Sequence, residues 1–105
     1  MGKKEFTKEL IPGGDDRLRV KINIEKGKVV DVVVQYESRI KDKWYAIVRY
    51  DCSHGFFHRD ILSPKGAEIK QPISIQNLSD ALTYAEQDIK DRWEWYKEKF
   101  KKGMR

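Results

Sequence analysis

The residues of this sequence with the most chemistry fall in one short string, YDCSHGFFHRD, from Tyr50 to Asp60. It carries both histidines of the chain, its only cysteine and two carboxylates, and Arg49 stands directly before it. Imidazoles beside carboxylates suit general acid–base work, because histidine titrates near neutrality and a carboxylate holds its tautomer. An RNA backbone is cut without a cofactor when three things happen. The 2′-hydroxyl proton is moved, the leaving oxygen is protonated and the phosphate charge is neutralised. His54 or His58 would move the protons, and Arg49 or Arg59 would hold the phosphate. The candidate catalytic set is His58, His54, Arg49, Asp51 and Asp60.

Two other readings of the same string compete. His54, His58 and either Asp51 or Asp60 would make a His-His-carboxylate metal set. The H-x3-H spacing, however, brings two imidazoles together on a helix, and Gly55 places a turn between them here. Neither a metal nor any other cofactor is expected. In the plainer reading the string is a salt-bridged hairpin, with Asp51 accepting hydrogen bonds from the turn and pairing with Arg49. Cys52 could act as a nucleophile, but a small or packed thiol in a turn is the commoner use.

The elements that must position these residues follow from hydrophobic period. From Arg17 the period is two. RLRVKINIE puts Leu18, Val20, Ile22 and Ile24 on one face, with Arg17, Arg19, Lys21 and Asn23 on the other. KGK makes a turn, VVDVVVQYESRI a second strand, KDK a second turn, WYAIVRYD a third strand and FFHRDILS a fourth. AEIKQPI adds a short fifth strand, held to an edge by Pro72, which lacks a donor. Residues 1–16 read as a flexible polar arm, closed by IPGGDD, with Phe6, Leu10 and Ile11 as its anchors. Residues 17–105 form a single domain. Its tail is a helix capped by Asn77, with Asp80 three residues on. Leu78, Leu82, Ala85, Ile89, Trp93, Tyr96 and Phe100 make one apolar stripe along it, and Trp95 lies off that stripe. The basic end, KEKFKKGMR, suits the helix dipole. The fold class is α+β: a four- to five-stranded antiparallel meander with a long C-terminal helix packed on one face.

Register then assigns the chemistry to a face. Pairing Ile24 with Val30 and Ile40 with Trp44 gathers Leu18, Val20, Ile22, Ile24, Val30, Val32, Val34, Tyr36, Trp44, Ala46, Val48 and Tyr50 under the helix. Pairing Asp51 with Phe56 adds Phe57 and Ile61, with Arg59 near the rim. Setting Cys52 against Phe56 would instead oppose Arg49 to Arg59, like charges that disfavour the pairing. The open face then carries Phe56, His58, Asp60 and Leu62 beside Tyr45, Ile47, Arg49 and Asp51. Arg17, Arg19, Lys21, Arg39, Tyr45 and Phe56 there form a candidate nucleic-acid surface, since cations attract phosphates and rings stack on bases. An ordinary solvated face, its cations guarding the edge, is the alternative.

The totals agree with one soluble domain. The chain has 105 residues, 37% of them charged, and a net charge of +5. A single cysteine rules out an intramolecular disulfide, no apolar run approaches the roughly 20 residues that span a bilayer, and the first residues lack the apolar core of a signal peptide. A cytoplasmic protein is expected. Abundant Lys and Glu with few Asn and Gln match a thermophile's balance.

The strings VVQYES, KWYAIVRYD and HGFFHRDIL resemble those of an uncharacterised prokaryotic family of about 100-residue proteins, a domain of unknown function, from Arg17 to the helix. More distantly, VRYD followed by His54 and His58 is similar to the TumE-type toxins of toxin–antitoxin systems, in which an Arg-Tyr-Asp string precedes a histidine-rich stretch. Arg49, Tyr50 and Asp51 match, then His54 and His58. Cys52 departs from the polar residue expected there, and the histidines are fewer. That resemblance implies a toxin-type RNase with RNA as substrate and an antitoxin-like protein as partner. The rival expectation is a non-catalytic interaction or assembly module, with a homodimer partner as one form of it and Tyr45, Phe56 and Trp95 as contacts.

Overall fold

The computed structural model describes residues 2–52 and 56–104. Six strands precede one helix: β1 Gly2–Glu9, β2 Asp16–Glu25, β3 Lys28–Ile40, β4 Lys43–Asp51, β5 His58–Leu62, β6 Glu68–Pro72 and α1 Leu78–Lys102. The strands form one antiparallel sheet in chain order, β1 to β6. Short connections dictate this meander, since a tight turn returns a strand only beside its predecessor. Lys26 and Gly27 both take positive φ between β2 and β3, and Lys41 and Asp42 do so between β3 and β4. Two successive positive φ values make the two-residue turn whose twist matches that of the strands.

The sheet therefore has six strands rather than four or five. The strand not expected is β1, in the stretch read as an arm. Its Lys, Glu and Thr side chains show no apolar alternation, yet it pairs with β2 from Gly2↔Ile24 to Glu9↔Arg17. Phe6 and Leu10 pack against the core as anchors, whereas Ile11 stays exposed.

Under the helix, Leu18, Val20, Ile22, Val32, Val34, Tyr36, Val48 and Tyr50 are all buried. Ala81, Ala85, Ile89, Tyr96 and Phe100 of α1 meet them, with Leu78, Leu82 and Trp93 packed at the margins. Asn77 caps the helix by accepting a hydrogen bond from the Asp80 amide at 3.1 Å. Although α1 is 25 residues long, no helix among the described residues is long and apolar enough to cross a membrane.

Two β-bulges correct the expected faces. Leu18↔Tyr36, Val20↔Val34 and Ile22↔Val32 pair as expected, but the register shifts at Asn23/Ile24, so Ile24 meets Val29 and Val30 is exposed. Likewise Val34↔Tyr50 and Tyr36↔Val48 hold, and a shift at Tyr36/Glu37 sets Ile40 against Lys43 and Arg39 against Trp44. One extra residue reverses every side chain beyond it. Trp44 consequently leaves the core for a place against the Arg17 guanidinium, 3.7 Å from its ring centroid. Tyr45 turns under the helix, against the Phe100 ring at 5.4 Å.

Candidate functional site

Alternation carries the chemistry onto the face that α1 does not cover. Across the strands one row reads Lys21, Val33, Asp51, His58, and the next reads Arg19, Gln35, Arg49, Asp60, Lys70. The β4–β5 register lies two residues further along than expected: Asp51 opposes His58 and Arg49 opposes Asp60. A shift of two preserves the faces. Phe57 is buried under the helix and stacks on Tyr50 at 5.9 Å, as the alternation requires.

His58 is fully buried although it lies on the open face. Its Nε2 is 2.8 Å from Asp51 Oδ1 and 3.6 Å from Asp60 Oδ2. Its Nδ1 is 3.2 Å from the Phe56 carbonyl oxygen, and the Phe56 ring leans on it at 5.4 Å between centroids. Each ring nitrogen thus has an acceptor beside it, Asp51 at Nε2 and the Phe56 carbonyl at Nδ1. Lys70 completes the cluster, its Nζ 3.4 Å from Asp60 Oδ1 and 3.4 Å from His58 Nε2. The structure brings Asp51, His58 and Asp60 together, while His54 lies outside the described residues.

Beside this cluster, Arg19, Lys21, Val33, Gln35, Arg49 and Asp51 line a shallow depression of about 380 Å³. Arg49 is aimed by its neighbour across the strand, with Nε donating to Gln35 Oε1 at 2.8 Å. Among the described residues no carboxylate lies within ion-pair distance of it. The other basic residues of the expected surface are paired. Arg17 is 2.8 Å and Arg19 3.6 Å from the buried Glu37, Lys21 is 3.7 Å from Glu5, and Arg39 is 2.7 Å from Asp15. Of the expected rings only Phe56 stays on this side, because the bulge sends Tyr45 to the helix side.

Arg59 does not serve this face. It reaches under α1, where its Nη1 is 3.3 Å from Asp88 Oδ2 and 3.1 Å from the Tyr96 hydroxyl oxygen. Tyr50 and Tyr96 both donate to the same Asp88 oxygen. A second cluster gathers at Asp16, which accepts from Tyr36 at 2.6 Å and Ser38 at 2.7 Å, with Lys97 of the helix at 3.3 Å. Burial, then the hydrogen bond to Asp16, pushes the Tyr36 phenol far above its ordinary range. Burial and Asp88 do the same to Tyr50, and raise Tyr96. The Cys52 thiol is also raised, first by burial, and it donates to Asp31 Oδ1 at 3.1 Å. A raised thiol is a poor nucleophile.

Sequence reasoning missed Lys70, Gln35 and Glu37. The available signal was the E-x-K alternation of β6, which sets Lys70 opposite Asp60 once the strands are paired.

Fold and face together define a class, an α+β domain with a six-stranded meander, one covering helix and a polar cluster on the bare side. A family model described as "Domain of unknown function (DUF7718)" matches residues 1–105, and the chain belongs to that family. No curated protein and no solved structure gives a match.

Proposed function

We propose that the open face binds single-stranded RNA through its phosphates. The observation that carries this is the depression: Arg19, Lys21 and Arg49 line it with Asp51, and Arg19 and Lys21 are held elsewhere only by long ion pairs, 3.6 Å to Glu37 and 3.7 Å to Glu5. Arg49 is held in place by Gln35 with its charge unspent on a neighbour. A guanidinium fixed by one hydrogen bond keeps donors for a phosphate at little further entropic cost. The test is fluorescence anisotropy of a labelled mixed-sequence RNA over a salt series. Three phosphate contacts give a log–log slope of about −2 on a single strand. Arg49→Ala should bind roughly tenfold more weakly, with a slope shallower by about 0.7. Absence of binding at low salt, or an unchanged Arg49→Ala, refutes the reading.

Cleavage is a second reading, favoured by the Asp51–His58 contact at the edge of the same depression. Asp51, the more accessible of the pair, would receive the 2′-hydroxyl proton, with His58 stabilising it from behind, and the leaving 5′-oxygen would take its proton from solvent water as its bond to phosphorus breaks. Asp51→Asn should then keep RNA binding and lose cleavage. Wild-type protein that leaves RNA intact restricts the chain to binding. The toxin-type resemblance gains little here, because its Arg-Tyr-Asp string is split across the sheet. Arg49 and Asp51 face the depression, while Tyr50 is fixed to Asp88 beneath the helix.

A further inference from the structure

We propose that Asp51, His58 and Asp60 form a site for one first-row divalent cation of the Zn²⁺ or Mn²⁺ kind, with which Lys70 competes. The proposal stands apart from RNA binding, since it uses the cluster and not the Arg49 side of the face. One imidazole and two carboxylates are a donor set that such ions accept. The three donor atoms lie within 4.8 Å of one another. Donors on a common ion sit about 3 Å apart when bonds are near 2.1 Å, and the separations from Nε2 are 2.8 and 3.6 Å. Only a small closure of the two aspartates is needed.

Two further observations point to a cation. Asp60 is 4% exposed, and among the described residues its Oδ1 accepts no hydrogen bond. The Lys70 ammonium neutralises that oxygen from 3.4 Å without donating to it in line. A buried carboxylate oxygen left so has lost its water without full replacement, and a cation held by both Asp60 oxygens, Oδ2 towards His58 and Oδ1 beside it, would supply it. Independently, His58 Nδ1 lies against the Phe56 carbonyl at 3.2 Å. This is how metal-binding histidines are oriented: one nitrogen donates to a backbone carbonyl and the other is presented to the ion. The H-x3-H spacing argued against a metal because it assumed a helix. The present ligands come instead from directly paired positions on β4 and β5.

Lys70 meets the cluster at two of its three residues. Its Nζ lies equally far from His58 Nε2 and Asp60 Oδ1, and its side chain is about one-third exposed on an edge strand, free to swing outward. On binding, Nε2 donates its lone pair, any proton there leaves to solvent, and the ammonium withdraws. Lys70 therefore competes with the metal.

The experiment is calorimetric titration of Zn²⁺, and separately Mn²⁺, into the full untagged chain after chelator treatment. One equivalent should bind. Asp60→Asn, with an unchanged circular dichroism spectrum, should bind at least tenfold more weakly. Lys70→Met should bind at least threefold more tightly. No saturable one-to-one binding of either ion, or wild-type affinity in Asp60→Asn, overturns the site. Should Asp60→Asn fail to fold, Lys70→Met decides alone, and unchanged or weaker binding there overturns the proposal.

Discussion

Asp16 and Asp88 are the residues whose loss should be felt most widely, because each collects two hydroxyls and a cation between sheet and helix. Asp88→Asn removes the charge that Arg59, Tyr50 and Tyr96 were placed to meet. Urea unfolding should register a loss of about 2–4 kcal/mol. The phenols make a second prediction. Tyr36, Tyr50 and Tyr96 hold their protons more tightly folded than unfolded. Their contribution is thus complete below the ordinary tyrosine value near 10 and is lost as pH rises above it. Each can withdraw up to about 1.4 kcal/mol per pH unit. Phenolate absorbance should therefore show a late phase that coincides with loss of the circular dichroism signal. At this scale the sequence displayed the types of residue and, by alternation, that His58 and Arg59 face opposite ways. It could not show that Gln35 would aim Arg49, that Glu37 would neutralise Arg17 and Arg19, or that Lys70 would reach His58. Those contacts depend on which strand lies alongside and on where long side chains settle.

Strands and turns obey simpler rules, and most of them were legible. Period-two alternation located β2 to β5, and the stripe from Leu78 to Phe100 located α1 together with its cap. Replacing Asn77 by Ala should cost about 1 kcal/mol of thermal stability. What alternation could not reveal is where it breaks. The bulges at Asn23/Ile24 and Tyr36/Glu37 fall where apolar residues stand side by side, at Val29-Val30 and from Trp44 to Val48, so the sequence does not say which of them turns inward; the second bulge exchanges Trp44 and Tyr45 between faces. Their cause is turn geometry: a two-residue turn fixes the register at its own end, and the core fixes it at the other. The turn at Lys41-Asp42 bears a cost for this, since two residues with side chains hold positive φ. Asp42→Gly relieves one of them and should raise stability by about 0.5–1 kcal/mol in the same urea assay. β1 escaped notice because an edge strand needs only backbone partners and one apolar anchor, and Phe6 supplies that.

The molecule measures 46 × 29 × 21 Å along its principal axes. The shortest is about what one sheet and one helix occupy when packed. The described residues thus make no third layer, and the depression and the cluster share a face that none of the described strands or helices covers. The lysines and glutamates of β1 close one edge of the sheet against further pairing. Deleting residues 1–9 should uncover β2, and sedimentation velocity should then detect more self-association than in the full chain. The order of the elements has a further effect, on synthesis. Neighbours in the sheet are neighbours in the chain, so hairpins can form as they emerge, with little cost of loop closure. The helix that covers them follows all six strands. Until α1 has left the ribosome, the apolar side of β2 to β4 has nothing to rest against. For that interval the nascent chain is the natural client of a chaperone, and a ribosome stalled before Leu78 would hold a sheet with both sides bare.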